Sequence, residues 1–332
     1  MQCDERLDHD ARNTLVDDEI RWKEQLHAQW TMPDAVIDDL VGRASDSAIS
    51  ARSRIVGGEG NEVWSITTQA GDDLILRVSR STAFAAERWA AEQARRMGVP
   101  APEVLLVDDA IAIDDQQVAA WIHRRIHGRP LETVQDEPIA RRLTAAAGEY
   151  LARIHAVATS GNGPLDAHGR GRRANFSDAL AWDDQAAAAA LVNGISRADV
   201  DQAAQLLDAS RQLWTPPRLL HGDWLPEHVL VQDDAVVGII DFGGAHSGDP
   251  AFDIAYWQFF WDTERYPGAA LLEGYRRAGD PGPNLDQRVH LCRLGLSMRA
   301  IAYYTEHGRM FPAQHAALRF REALAALRAN PV

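Results

Sequence analysis

Leu219-Leu220-His221-Gly222-Asp223-Trp224-Leu225-Pro226-Glu227-His228-Val229-Leu230-Val231 lies in the second half of a 332-residue chain. An Asp follows His-Gly, a His stands five residues further on, and an apolar run then begins. Eighteen residues after Asp223 comes a second Asp, in Ile239-Ile240-Asp241-Phe242-Gly243. Gln232-Asp233-Asp234-Ala235 separates the two apolar runs and reads as a hairpin turn. Two carboxylates at the ends of neighbouring short strands, with a third polar ligand between them, suit a divalent cation held beside a general base.

Working outward, Val236 to Asp241 and His228 to Val231 are the two short strands. Downstream, Ala251 to Trp261, Ala269 to Ala278, Leu285 to Glu306 and Pro312 to Ala329 carry helical periodicity. Upstream, Arg197 to Trp214 is a helix stopped by Pro216-Pro217, and Ser160 to Gly171 is a Gly-rich loop. Ala140 to Val157 is a long helix with Leu143, Ala147, Leu151 and Ile154 on one face. Gly128-Arg129-Pro130 marks a lobe boundary. Before it, Ile55 to Ile66 reads as strand, glycine turn, strand, and Leu74 to Val78 is the next strand. Phe84 to Met97 is helical, and Val104 to Val107, Ala110 to Ile113 and Val118 to Ile122 are strands. Asp17 to Trp30 and Pro33 to Gly42 are short amphipathic helices. The expected organisation is a helical extension over 1–50, an N-lobe over 51–128 with a small antiparallel sheet and one helix, and a mainly helical C-lobe over 129–332. The fold class is α+β.

Composition excludes several classes. A formal net charge of −14 opposes nucleic-acid binding, which needs clustered Lys and Arg. The two cysteines, Cys3 and Cys292, permit neither a disulfide framework nor a Cys-rich zinc site. The N-terminus is polar and acidic, and no apolar run approaches the roughly 18–20 residues of a membrane span. A cytoplasmic protein without membrane partners is expected. Lys23 is the single lysine, so any phosphate-gripping cation further along the chain is an arginine.

Asp223 is the candidate base, orienting or receiving the proton of a substrate hydroxyl. Asp241 is the candidate metal ligand at a strand end. His228 either joins it in ligation or orients the loop. Gly58, Gly60 and Asn61 form a turn able to lie over phosphates through backbone N–H groups. Arg77, flanked by strand apolars, needs a partner if buried. Glu87 is the natural one and Glu92 the alternative, and the Arg77–Glu87 pair would grip nucleotide phosphates. Asp249 precedes Pro250 at a helix start, an N-cap position. Asp253 reads as structural, His221 as loop-orienting and His155 as a packed contact.

Protein kinases use this grammar as H-R-D-x-x-x-x-N followed by D-F-G. His221-Gly222-Asp223, Ile240-Asp241-Phe242 and Gly248-Asp249-Pro250 with Asp253 resemble the aminoglycoside phosphotransferase branch of the protein-kinase-like superfamily. Leu151-Ala152-Arg153-Ile154-His155 resembles that family's L-A-x-L-H helix motif. Where the family signature has Asn, this chain has His228. The resemblance spans about residues 50 to 310. It implies a bilobal kinase-like fold, with ATP (GTP possible) between the lobes and Mg²⁺ on Asp241 and His228. It also implies backbone contacts from Arg124 and Ile126 to the base, with His123 behind them.

Phe84 to Leu131, and Gly161-Asn162-Gly163-Pro164 followed by Gly169-Arg170-Gly171, are similar to hygromycin B phosphotransferases, whereas His228 is a habit of macrolide phosphotransferases. The resemblance implies phosphorylation of a hydroxyl on an aminoglycoside-like, cationic antibiotic, hygromycin-type favoured, with resistance as the outcome. Asp262 and Glu264, beside Trp257 and Trp261, with Tyr303 and Glu306, are candidate acceptor contacts. A macrolide phosphotransferase, a kinase of a small metabolite (sugar, amino alcohol or homoserine-like) and a nucleotide-binding pseudokinase stay open. So does the oligomeric state.

Overall fold

The computed structural model describes residues 31–55, 61–80 and 83–330. The helix expected over Asp17 to Trp30 lies outside them. The chain divides into two compact units, Met1–Ala85 with Glu103–Arg125, and Ala86–Pro102 with Ile126–Val332.

The first unit holds helix α1 (Asp34–Ser45) and strands β1 (Ile49–Ile55), β2 (Glu62–Thr68), β3 (Asp73–Ser79), β4 (Val104–Ile113) and β5 (Gln116–Arg124). They form one antiparallel sheet in the order β1-β2-β3-β5-β4. The period of two along β3 sends Leu74, Leu76 and Val78 to one face. There they meet Ile66, Val118 and Ile122 under Ile37, Leu40 and Val41 of α1. Each such side chain contributes about 1.5–3 kcal/mol when fully buried. Residues expected within an extension over 1–50 are thus built into this core. The two strands expected over 104–113 are one, because the β4–β5 register shifts between Asp108 and Ile111. The Asp109 carboxylate accepts from the backbone N–H of Phe84 at 2.7 Å and of Ala85 at 3.2 Å. It thereby satisfies early donors of helix α2 (Ala85–Arg96).

The second unit is mainly helical: α3 (Glu137–His155), α4 (Phe176–Leu180), α5 (Asp184–Val192), α6 (Arg197–Ala209), α7 (Ala251–Phe260), α8 (Gly268–Ala278), α9 (Leu285–Glu306) and α10 (Met310–Ala329). Its strands are β6 (Arg129–Pro130), β7 (Asn162–Leu165), β8 (Gly171–Arg173), β9 (Arg218–Leu220), β10 (Val229–Gln232), β11 (Ala235–Ile239) and β12 (His246–Gly248). Two small sheets result, in the orders β11-β10-β6 and β8-β7-β12-β9. The stretch read as a Gly-rich loop contains β7 and runs into β8, strands too short and polar to show alternation. Helices α4 and α5 escaped the periodicity reading. Their caps were legible: Asn175 accepts from Ser177 N–H and Asp183 from Ala186 N–H, both at 2.9 Å.

Helices α3 and α8 cross at two glycines. A Cβ on Gly274 would lie 1.7 Å from the carbonyl oxygen of Ala145, and one on Gly148 would lie 2.0 Å from that of Leu271. No rotamer change relieves a backbone clash. The crossing sets where α8 presents Tyr275 to α3, whose His155 Nδ1 lies 3.1 Å from the Tyr275 hydroxyl.

His155 opens a buried chain leading to the loop after β9. Its Nε2 lies 2.9 Å from Asp253 Oδ2, on the first turn of α7. The Asp253 carboxylate also accepts from the backbone N–H groups of His221 and Gly222, each at 2.8 Å. Burial alone would raise this carboxyl, but the His155 bond and nearby imidazoles outweigh it and hold it below the ordinary range. Asp249 accepts from Ala251 N–H at 2.9 Å, the cap expected of it. It also takes Thr215 N–H at 2.8 Å and ion-pairs with the fully buried Arg288.

Gly274→Ala is expected to lower stability by about 1–3 kcal/mol or more, read from the midpoint of urea unfolding. Asp253→Ala is expected to cost about 3–5 kcal/mol, because it strands two buried N–H donors and an imidazole. Amide exchange should then quicken at His221 and Gly222, and protection equal to the parent protein at both would show that the carboxylate does not hold the loop.

Candidate active site

Three segments of the second unit converge. β9 delivers His221-Gly222-Asp223, a single 3₁₀ turn (Pro226–His228) follows, and β11 ends just before Asp241. The hairpin between β10 and β11 turns on Asp233 and Asp234, both at positive φ (48° and 57°), as a two-residue turn of primed type requires. Ile240 N–H donates to the His228 carbonyl at 3.0 Å, and His221 Nε2 lies 3.0 Å from the Ile240 carbonyl oxygen. Gly222 has φ 81°, and a Cβ there would lie 1.8 Å from the Gly244 carbonyl oxygen. The loop therefore closes onto Gly244 only with glycine at 222.

One ligand atom from each of Asp223, His228 and Asp241 lies within 4.8 Å of the other two. His228 Nδ1 is 2.8 Å from the Asp223 carbonyl oxygen and donates to it, which leaves Nε2 to carry the lone pair of the neutral ring. Nε2 lies 3.8 Å from Asp241 Oδ2 and 3.8 Å from Glu227 Oε1. Burial pulls the His228 pKa down, but the carboxylates of Asp223 and Asp241 outweigh it and leave it above the ordinary value. The cluster thus draws positive charge. Two carboxylates and one nitrogen, part-exposed, fit a hard divalent cation of the Mg²⁺ or Mn²⁺ kind. Asp241 adopts the left-handed conformation, φ 62° and ψ 66°, which costs a non-glycine residue on the order of 1 kcal/mol.

Tyr256 is the residue the sequence reading missed. Its hydroxyl feels the Asp223 carboxylate, and burial together with that carboxylate pushes its ionisation far up, so the phenol stays protonated. The signal was available: Tyr256 stands three residues after Asp253 on α7, and that spacing puts both on one face. Trp224, next to Asp223, is fully buried against the His221 ring, at 5.1 Å between centroids.

In the first unit, Arg77 lies opposite Trp121 in the β3–β5 pairing, with its guanidinium 5.5 Å from the Phe84 ring centroid. Asn61 is half-buried just before β2, and Gly58 and Gly60 lie outside the described residues. Arg124 ends β5. Its N–H donates to the Glu103 carbonyl at 3.0 Å, so a backbone contact to the base would come from its carbonyl. The Arg124 carbonyl accepts from His123 Nδ1 at 2.8 Å. Burial pushes the His123 pKa down to about 4.

In the second unit, Glu87 is buried in the first turn of α2, and Glu92 lies 3.9 Å from Arg88. Ile126 is half-buried; a Cβ on Gly238 would come within 2.7 Å of its side chain. Trp257 corrects an expectation. It is fully buried and its Nε1 donates to the Tyr266 carbonyl at 3.0 Å, so no ring face is left for an acceptor. Asp262 accepts from Gly268 N–H at 2.8 Å and so serves the start of α8. Trp261 is half-buried, edge-on to Tyr266, while Glu264, Glu306 and Tyr303 are exposed.

Residues 52–288 match the model of the phosphotransferase enzyme family. The chain is 25% identical over 274 residues to hygromycin-B 4-O-kinase of Escherichia coli, covering 75% of this chain and 74% of that protein. A thermostable mutant of aminoglycoside phosphotransferase APH(4)-Ia, solved as a ternary complex with ADP and hygromycin B, superposes with a TM-score of 0.68. It is 19% identical, covering 89% of this chain and 99% of that one. Macrolide 2′-phosphotransferase MphH from Brachybacterium faecium superposes with a TM-score of 0.54 at 23% identity, covering 90% and 98%. These likenesses show the α+β, kinase-like fold of aminoglycoside phosphotransferases. No described helix is long and apolar enough to cross a membrane. With the family model spanning well over half its length, the chain belongs to the phosphotransferase enzyme family.

Proposed function

We propose that this protein moves the γ-phosphate of ATP to a hydroxyl of an aminoglycoside-like antibiotic, hygromycin-type favoured, and so confers resistance. The observation that carries the mechanism is the convergence of Asp223, His228 and Asp241 within 4.8 Å. The relatives named above support the acceptor class.

In this mechanism Asp223 meets the acceptor hydroxyl. The protonated Tyr256 phenol would steady the carboxylate, which offers an oxygen for the incoming proton. The hydroxyl oxygen bonds to the γ-phosphorus as the bond from phosphorus to the ADP oxygen breaks, and the hydroxyl proton passes to Asp223. Asp241 and the Nε2 of His228 would hold Mg²⁺, which when bound neutralises phosphate charge. His228 also fixes the loop through its Nδ1 bond to the Asp223 carbonyl. Phosphate contacts from Arg77 with Glu87, and from Asn61 with the glycine turn, belong to the same proposal. The Arg124 carbonyl and Ile126 are assigned to the base. Glu264, Glu306, Tyr303 and Trp261 are assigned to the acceptor.

A macrolide acceptor is the second reading. It is favoured by the imidazole at 228 and by the likeness to MphH. Expression in a sensitive host separates the two: protection against hygromycin B without protection against macrolides supports the first, and the reverse supports the second. Protection against neither, with no phosphate transfer to either class in vitro, would remove antibiotics as acceptors.

Asp223→Asn is expected to lower kcat about 10²–10⁴-fold while ATP binding is kept. Asp241→Asn should weaken Mg-nucleotide binding as well. Near-normal turnover by Asp223→Asn would end its assignment as base. His228→Asn, which restores an oxygen ligand, is expected to keep or raise activity with Mg²⁺, and His228→Ala to lower it. Equal activity of the two variants, measured across a Mg²⁺ titration, would mean that position 228 supplies no ligand.

A further inference from the structure

A hollow of about 320 Å³ lies beside the Gly243–His246 segment, within the second unit. Its walls are largely apolar: Phe176, Leu180 and Phe252 face it. Its polar lining comes from Gly244, His246 and Arg299. No carboxylate lines it among the described residues. Arg299 reaches it from α9, and one guanidinium nitrogen donates to the Ala179 carbonyl. Among the described residues no carboxylate lies within ion-pair distance of Arg299, although the chain carries a net charge of −14.

The hollow adjoins the base. Gly244 lines it, and a Cβ built on Gly244 would fall 3.2 Å from the Cβ of Asp223. The ring of Phe252, on its wall, is 6.0 Å from the ring of Tyr256, whose ionisation the Asp223 carboxylate helps to suppress. His246 Nδ1 lies 2.9 Å from the Gly244 carbonyl oxygen, and burial, the largest influence on it, lowers its pKa. That shift disfavours charge on the imidazole, and Arg299 is the one arginine, lysine or carboxylate among the described lining residues.

We propose that this hollow is a subsite for the acceptor, and that Arg299 selects there a ring bearing hydrogen-bond-accepting oxygens and no ammonium. The inference rests on the phosphotransferase reading above and deepens it. Long-range attraction of a cation to a −14 chain and local exclusion of ammonium are compatible, since the first acts over the whole surface and the second at one wall. A guanidinium fork grips a carboxylate or paired hydroxyl oxygens in two places, and the aromatic rings take the apolar face of a sugar. The ammonium groups of an aminoglycoside would then sit away from this wall, toward the exposed acids.

Three matched pyranoses test this: glucuronate, glucose and glucosamine. Binding to the full chain loaded with Mg-AMP-PNP is measured by saturation-transfer NMR and calorimetry, and phosphate transfer is measured with ATP. The parent protein is expected to bind glucuronate at least tenfold more tightly than glucosamine. Arg299→Lys should keep that order with smaller spacing, and Arg299→Glu should reverse it. Arg299→Gln, with the charge removed and none added, should flatten it, and it serves if the Glu variant does not fold. Tighter binding of glucosamine by the parent, an order unchanged in Arg299→Glu and Arg299→Gln, or no binding of any probe would overturn the subsite. If the order follows position 299 but no acceptor receives phosphate, the subsite stands and the reaction assigned above fails. If hygromycin B is phosphorylated with a KM that drops in Arg299→Glu, the reaction stands and the subsite fails.

Discussion

The carboxylate of Asp253 is the constraint on which the site depends. It has no exposure to solvent, and it holds the two N–H groups that precede Asp223. Helix α7 thereby fixes the backbone from which the candidate base projects, and the same helix supplies Tyr256 to the base itself. The anchor is braced from behind by His155 and Tyr275, on helices that meet through Gly148 and Gly274. A change at that crossing, remote from the chemistry, is transmitted through two hydrogen bonds to the loop. Misplacement by an ångström at a reacting atom is enough to cost orders of magnitude in rate.

The electrostatics of the cluster run against stability. Asp223, Glu227 and Asp241 gather around one imidazole, and Asp241 is held in a left-handed conformation besides. Folding alone gains little from such an arrangement, because like charges repel and backbone strain adds to the cost. The same carboxylates raise the His228 pKa above its ordinary value despite burial. A divalent cation would meet the same demand more fully than a proton does. The strain and the charge together support the proposed ligand role of these residues.

Much of this was legible in the sequence. The helices of the second unit showed as apolar periodicity, the β10–β11 hairpin as an Asp-Asp turn, and the two acids as residues ending or following short strands. The glycine-rich strands β7 and β8 were not legible, since three or four residues without alternation carry no period. The short helices α4 and α5 announced themselves only through Asn175 and Asp183. Among site residues, Trp257 looked like a stacking surface because composition cannot say which way an aromatic faces; the Tyr266 carbonyl decided that it turns inward. Which backbone group of Arg124 is available was not legible either, since its N–H is taken by a carbonyl distant in sequence. Arg299 was invisible as chemistry, because it is defined by what tertiary packing brings beside it, and Tyr256 was signalled only by its spacing from Asp253.

Tyr256 also bears on how Asp223 is held. Phosphoryl transfer makes little demand on the strength of the base. Its transition state is loose, the attacking oxygen carries little negative charge early, and the proton leaves late. Under those conditions orientation matters more than basicity, and a buried phenol beside the carboxylate limits how that carboxylate can turn. The neighbouring hollow adds to the same economy: apolar rings and one arginine would restrict how a sugar lies before its hydroxyl reaches Asp223. In the proposed reaction the second unit would serve to aim a hydroxyl, with acid–base strength subordinate to geometry.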